Sequence, residues 1–306
     1  MAAPVPRVSI IIPHLNQIDS AEHCLLSLRT QSYPADRIEI ILADNGSSVS
    51  LRDLRSAFPE MRLVREERPG PGLARNAGVA LATGDVLAFI DADCRAHPQW
   101  VEAAVAALSQ PGATGIVGGD VQIALANPAH MTGLEAYESI FAYRQALYIH
   151  KLGFSGAGNL AMRRAMFEAI GPFAGIGIAE DRDWGRRAQA LGHVTLYAPN
   201  MIVYHPARTD MADMAAKWRR QTAHDLADHQ RTGRSDLIWL ARMAALMGIT
   251  PVHALRILAS PRVHGLASRL RGVACLAHIR RLRVREMWHQ WADPAHEGAT
   301  GWNRGA

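Results

Sequence analysis

The sequence predicts an α/β fold: a doubly wound sheet followed by a C-terminal helical extension. Three observations carry this. Short apolar runs of strand length alternate with amphipathic stretches over the first two-thirds of the 306 residues. A polar cluster stands where several of these runs stop. From about Met211 the chain turns mostly helical and basic. Strands separated by helices need crossover connections, which is the connectivity of a doubly wound sheet. The expected division is an α/β domain over 1–210 and a basic helical region over 211–306.

Val8–Ile12 (VSIII) is a short apolar run closed by Pro13, as in a strand buried on both faces. Asp19 or Ser20 can cap a helix with Ala21, Cys24, Leu25 and Leu28 on one face. Ile38–Ala43 is a second strand, and Arg62–Val64 a weaker third. The Pro69-Gly70-Pro71-Gly72 loop leads into a helix over Leu73–Ala82. Gly84-Asp85 breaks it before a strand over Val86–Ile90, and Gln99–Leu108 is amphipathic. Ile116–Ile123 reads as a strand and Gly133–Tyr148 as one helix. The glycine-rich Phe154–Leu160 lets a ligand approach the backbone. Arg164–Ile170 is a short helix. Glu180-Asp181-Arg182-Asp183-Trp184 opens another, with Trp184, Ala188 and Leu191 on one face and Gly192 at its end. Val194–Tyr197 and Met201–Tyr204 read as two short strands.

The net charge of +5 is unevenly spread. Residues 1–206 hold 17 Lys and Arg against 20 Asp and Glu, and residues 207–306 hold 16 against 8. The basic character therefore belongs to the C-terminal third, as a solvated Arg-rich surface or as a contact for an acidic partner. Aromatic residues are not interleaved with the arginines in a stacking pattern, so nucleic acid is not the expected partner. Three well-separated cysteines, Cys24, Cys94 and Cys275, show neither a disulfide framework nor zinc spacing, which favours a reducing, cytoplasmic compartment. The N-terminal stretch lacks the pattern of a signal peptide, and Leu237–Ile249 is too short to span a bilayer.

In doubly wound sheets, ligands bind beyond the carboxyl ends of the strands. Three polar clusters fall there: Pro13-His14-Leu15-Asn16, Asp44-Asn45-Gly46-Ser47 and Asp91-Ala92-Asp93. Each taken alone is ordinary turn chemistry. Two carboxylates at the tip of an apolar strand repel one another, and a hard divalent cation such as Mg²⁺ or Mn²⁺ resolves this most simply. Trp100 and Trp184 read as packing residues, and Cys94 as a buried small residue.

The ordered set VSIIIPHLNQ, ADNGSS, GPGLARNAG, FIDADC, FSGAGNLAMRR and AEDRDWGRRAQALGH resembles glycosyltransferase family 2 over about Val8 to Pro206. These are the inverting nucleotide-sugar transferases of the GT-A fold, whose doubly wound sheet is mixed. The resemblance implies that Asp44 bonds the donor base, usually uracil, and that Pro13 and Asn16 border the nucleotide. It places Arg75 and Asn76 along the nucleotide and diphosphate, Asp91 on the ribose side and Asp93 on the metal. Asp181 matches the catalytic base, and His205 a further metal or diphosphate contact. Gly156, Gly158, Asn159 and Glu180 fall on the acceptor or donor-sugar side.

The chemistry is coherent. A cation on Asp93 would offset the charge developing on a nucleoside diphosphate leaving group. A carboxylate at Asp181 can take the acceptor hydroxyl's proton as the oxygen attacks the anomeric carbon from the opposite face, giving inversion. An acid at a helix N-terminus is also simply favourable against the dipole. The expected partners are a nucleotide-sugar donor, a UDP-sugar by family habit, and a glycan or lipid-linked acceptor. A Rossmann oxidoreductase would need G-x-G-x-x-G after the first strand, and a nucleotidyltransferase a Gly-rich loop with a basic residue; PHLNQID offers neither. A non-catalytic carbohydrate- or nucleotide-binding scaffold on the same fold stays open as the alternative. The apolar and Arg-rich stretch of about 237–290 suits an amphipathic surface on an anionic membrane, which would make the protein peripheral on the cytoplasmic face. Packing on the transferase domain, or a homodimer contact, would use the same residues.

Overall fold

The computed structural model describes residues 5–176 and 178–293. The chain divides into two compact units, one comprising 5–122 and 143–205, the other 123–142 and 206–293. The boundary expected at 210 thus falls a few residues earlier, and the inserted stretch Ile123–Ala142 belongs with the C-terminal helices. The reason lies in its helix, whose Leu134, Ala136 and Tyr137 are buried among Ile257, Leu276 and Ile279 of that second unit.

The first unit is built on an eight-stranded sheet. In chain order its elements are β1 (Val8–His14), α1 (Ile18–Arg29), β2 (Ile38–Asp44), α2 (Arg52–Ala57), β3 (Arg62–Arg65), α3 (Pro71–Leu81), β4 (Val86–Ile90), β5 (Arg95–Ala96), α4 (Trp100–Leu108) and β6 (Ile116–Ala124). The inserted helix α5 (Gly133–Phe141) then belongs to the second unit. After it come α6 (Gln145–Leu147), a wide helical turn over Tyr148–Leu152, β7 (Asn159–Arg163), α7 (Arg164–Ile170), α8 (Glu180–Ala190) and β8 (Leu196–Pro206). The strand order is β3-β2-β1-β4-β7-β6-β8-β5. β3, β2, β1 and β4 run parallel, whereas β7 is antiparallel to both β4 and β6. The sheet is therefore mixed and doubly wound.

β1 explains its own unbroken apolar run. Val8, Ile10 and Ile12 enter one buried cluster with Cys24, Leu25, Leu28 and Trp100. Ile11 points to the opposite face, among Phe89, Phe173 and Trp184. Both faces are covered, so alternation would expose nothing and is absent. Gly78 lets α3 lie flat on this strand, since a Cβ there would stand 2.5 Å from Ile11.

Four local readings are revised. Helix α1 starts at Ile18 without a side-chain cap, and Asp19 lies inside its first turn. Leu191 is exposed, because α8 has ended and only Trp184, Gly185 and Ala188 face inward. β8 is one eleven-residue strand rather than two, running straight through Pro199. The helix expected over Gly133–Tyr148 stops at Phe141, where Tyr143 takes φ +45°, a conformation a bulky side chain rarely adopts.

The second unit continues with α9 (Met211–Arg231), α10 (Asp236–Gly248), α11 (Thr250–Ala259) and α12 (Leu266–Ala292). α12 packs along α5 and α9. The length expectation for α10 is also revised. Pro251 falls in the first turn of α11, where its missing N–H is not needed, so α10 and α11 adjoin over Asp236–Ala259. That stretch is apolar and long enough, by length and composition alone, to cross a bilayer. One face, with Trp239, Met243 and Ile257, is buried, while Leu237 and Leu255 are 74% and 64% exposed.

Candidate active site

The parallel strands end together, and their final residues supply the site. β1 and β2 are in register His14 to Asp44, which sets a buried carboxylate beside a buried imidazole. His14 Nε2 accepts the Gln17 N–H at 3.1 Å, so Nδ1 carries the proton and points to Asp44 Oδ1 at 3.3 Å. Burial lowers His14 below the usual imidazole range, although Asp44 opposes this, so the ring is neutral at pH 7. Asp44 also accepts the Ser47 N–H and, at 3.3 Å, Arg65 Nη1. Asn16, at φ +55°, holds the facing loop, its Oδ1 accepting from Ser48 and Val49. Pro13 lies within β1 opposite Ala43.

At the end of β4, Asp91 and Asp93 part company. Arg75, on α3 and only 4% exposed, donates to Asp91 Oδ1 at 2.6 Å and to Glu180 Oε1 at 2.9 Å. One guanidinium thus ties the strand end to the first turn of α8. Its charge is reinforced: burial lowers its affinity for the proton, but Asp91 and Glu180 raise it further. The antiparallel register sets Ile90 opposite Asn159, which brings Gly158 against Asp91. A Cβ on Gly158 would stand 2.3 Å from Asp91 Oδ2, so a larger residue there would push that carboxylate aside.

Asp93 turns instead to β8. Its Oδ2 lies 3.1 Å from His205 Nε2, and Tyr143 Oη meets the same nitrogen at 2.8 Å. Burial pushes Asp93 up, but His205 and the local N–H and S–H donors bring it below the usual carboxylate range. Asp93, Cys94 and His205 form one group whose ligand atoms lie within 4.8 Å of one another. Burial first, then the neighbouring acids, raise the Cys94 thiol well above its ordinary range. The carboxylate oxygen of Asp93 and the imidazole nitrogen of His205 are donors that fit a divalent cation.

Asp181 is the second residue of α8. Its Oδ1 accepts the Arg182 N–H at 2.7 Å. Burial, then the Glu180 charge, hold its carboxyl above the ordinary aspartate range.

Several expected ligand-facing residues are engaged within the fold. Asn159 is fully buried; Trp100 Nε1 donates to its Oδ1, and its Nδ2 donates to the carbonyls of Asp120 and Met201. Its side chain braces three strands rather than facing a sugar. Asn76 likewise spends both polar atoms on the Phe173 backbone. The Gly156 N–H is taken by Gln145 Oε1 at 3.0 Å. His14, Tyr143 and Gln145 join the neighbourhood without having been picked out. His14 sat in a cluster already noted, but Tyr143 and Gln145 lie in what reads as a continuous helix, and nothing local announces the break that delivers them.

The family model for "Glycosyl transferase family 2" matches residues 9–171. "Glycosyltransferase AglE" of Haloferax volcanii is 33% identical over 214 residues, 68% of this chain and 69% of that protein. "Probable glycosyltransferase YdaM" of Bacillus subtilis is 26% identical over 71% of this chain and 54% of its own length. Among solved structures, the mannosyltransferase PcManGT from Pyrobaculum calidifontis, in complex with GDP-Man and Mn²⁺, superposes with a TM-score of 0.61 at 19% identity. The match covers 94% of this chain and 88% of that one. S. aureus TarS 1–349 in complex with UDP-GlcNAc gives 0.52 at 15% identity, covering 92% and 89%. With the mixed sheet, the carboxylates at its strand ends and these likenesses together, the chain belongs to glycosyltransferase family 2 and is a glycosyltransferase of the GT-A fold.

Proposed function

We propose that the protein transfers a sugar from a nucleotide-sugar donor to an acceptor hydroxyl of a glycan or lipid-linked saccharide, with inversion and with a divalent cation. The observation that carries this reading is the division of labour at the end of β4. Asp91 is tied by Arg75 to the start of α8, while Asp93 is turned to His205. Asp93 and His205 would hold the cation, Mn²⁺ or Mg²⁺, which when bound would offset charge on a diphosphate leaving group. Asp44, orienting His14 and facing Arg65, would receive the base of the nucleotide, a UDP-sugar by family habit. The PcManGT structure carries GDP-Man and the TarS structure UDP-GlcNAc, so a nucleotide-sugar is common to both while the base varies.

Asp181 would act as the general base. It stands at the opening of α8 beside Glu180, and its raised proton affinity suits a carboxylate that must take a hydroxyl proton near neutral pH. Arg75 would keep Glu180 and Asp91 at fixed separation, and with them the position of α8. The experiment is release of nucleoside diphosphate from a panel of UDP- and GDP-sugars with Mn²⁺, Mg²⁺ or chelator. Transfer should occur with one donor, need the cation, and vanish in Asp93→Ala. Undiminished activity in chelator or in that variant would contradict the assignment.

The same reading includes peripheral attachment to the cytoplasmic face of a membrane through α10 and α11. The exposed side of that stretch is apolar, with Leu237, Ile238, Val252 and Leu255, and Arg242 and Arg256 lie along it. Its other side packs on α12, which suits a helix lying on a bilayer rather than crossing it. Vesicle co-sedimentation checks this: protein that stays in the supernatant with anionic vesicles at low salt is not attached this way.

A further inference from the structure

The second unit gathers cations where its acids are already engaged. Helix α9 carries Lys217 and Trp218, and α12 carries Arg280 and Arg283. The Arg283 guanidinium lies 3.6 Å from the centre of the Trp218 ring, and Lys217 Nζ lies 5.7 Å from the same centre. The indole face attracts each cation, but the two repel one another. Arg208 and Arg220 add to the positive field at Lys217.

The acids facing this pair are Glu138 and Asp225. Both Glu138 oxygens are occupied by Arg208, one by its guanidinium and the other by its backbone N–H at 2.8 Å. Asp225 is held by Arg242 at 2.9 Å. Among the described residues, Lys217 donates no hydrogen bond and forms no ion pair. Three further N–H donors here are buried without an acceptor among those residues: Arg280 Nε, Arg283 Nε and Trp218 Nε1. Arg280 is itself 5% exposed, with its Nη2 on His253 Nδ1 at 2.5 Å. Burial, and then Arg208, lower Lys217 to about 8; burial brings Arg283 down to about 10. Half-buried cations crowded together and orphaned donors disfavour the fold unless something neutralises them.

We propose that Lys217 and Arg283, with Arg208 and Arg280 beside them, form a binding site for a phosphate or diphosphate group. The donor set suits that chemistry. Lysine supplies a point charge, arginine a planar fork, and the indole one further N–H, against an anion with three or more acceptor oxygens. A soluble diphosphate and the headgroup of a phosphate-bearing lipid both present this group. The site lies wholly within the second unit and does not depend on the donor assignment.

The test is calorimetric titration of the full chain with inorganic pyrophosphate in chelator and without nucleotide, so that the Asp93 site contributes no metal-dependent binding. Wild type and Asp93→Ala should bind alike. Lys217→Met and Arg283→Gln should each weaken binding about tenfold or more, while Lys217→Arg retains it. Without anion, Lys217→Met should melt at or above the wild-type temperature, because it relieves repulsion. A second arm compares vesicles bearing a lipid phosphomonoester with vesicles of equal charge bearing a phosphodiester. A monoester preference lost in Lys217→Met identifies the lipid source; pyrophosphate binding without that preference identifies the soluble one. The proposal is overturned if wild type binds in neither arm, or if both variants bind as wild type does. It is also overturned if Lys217→Met melts lower without anion, since the lysine is then structural.

Discussion

Replacing Arg75 with methionine removes the group that joins β4 to α8. Arg75 is 4% exposed and holds two carboxylates, Asp91 with 39% of its side chain exposed and Glu180 with 22%. A hydrogen bond to a charged group contributes about 1.5–3 kcal/mol when buried. Water screens the Asp91 bond enough to bring it to about 1 kcal/mol. The Glu180 bond is better shielded and counts for about 2 kcal/mol. Methionine keeps most of the aliphatic stem, so the cavity penalty is small. The relief of a buried guanidinium's desolvation offsets part of the loss, and a net destabilisation of about 2 kcal/mol remains. Urea unfolding should show this as a lower midpoint at unchanged slope. The two acids, left facing each other, should then respond to one another: adding Glu180→Gln should restore about 1 kcal/mol. A loss below about 0.5 kcal/mol would show the bridge to be energetically idle. A loss that Glu180→Gln does not reduce would show that packing, not charge, is responsible.

Two further outcomes are expected. Asp181→Asn should keep donor affinity and lose about 10²–10⁴-fold in turnover, with the wild-type product inverted at the anomeric carbon. Because burial and Glu180 hold Asp181 above the ordinary aspartate range, wild-type kcat/KM should fall, as pH drops, earlier than an unperturbed aspartate would allow, and the variant's residual rate should lack that limb. An anomer-resolved spectrum showing retention would contradict the role. Asn159→Ala should cost about 2–4 kcal/mol, since it leaves Trp100 Nε1 and two carbonyls buried without partners. Thermal melts check this, and a variant as stable as wild type would return Asn159 to the ligand side.

The sequence by itself determined the strands of the first unit and the places where they stop. β1, β2 and β4 are buried on both faces, so each is an unbroken apolar run, and each polar cluster after it falls at the sheet edge by necessity of connectivity. Asp44, Asp91 and Asp93 stood out for that reason, whereas Asp181, one acid among several at a helix start, was singled out only by the family resemblance. Tertiary structure alone decided how these residues divide. Asp91 and Asp93 are two residues apart, yet one is bound to Arg75 and the other meets His205, on a strand more than a hundred residues later. No local pattern encodes that pairing, because it depends on β7 turning antiparallel and on β8 completing the sheet. The same holds for Asn159, whose glycine-rich setting suggests a ligand but whose three hydrogen bonds go to chain distant in sequence. It holds for the break at Tyr143 as well, where a helical pattern gives way to a strained backbone that brings a phenol to His205. In the second unit, the arginine count was visible in the sequence. Which arginines meet an acid and which crowd one indole was not, since helices pair by packing and charges only follow where the packing puts them.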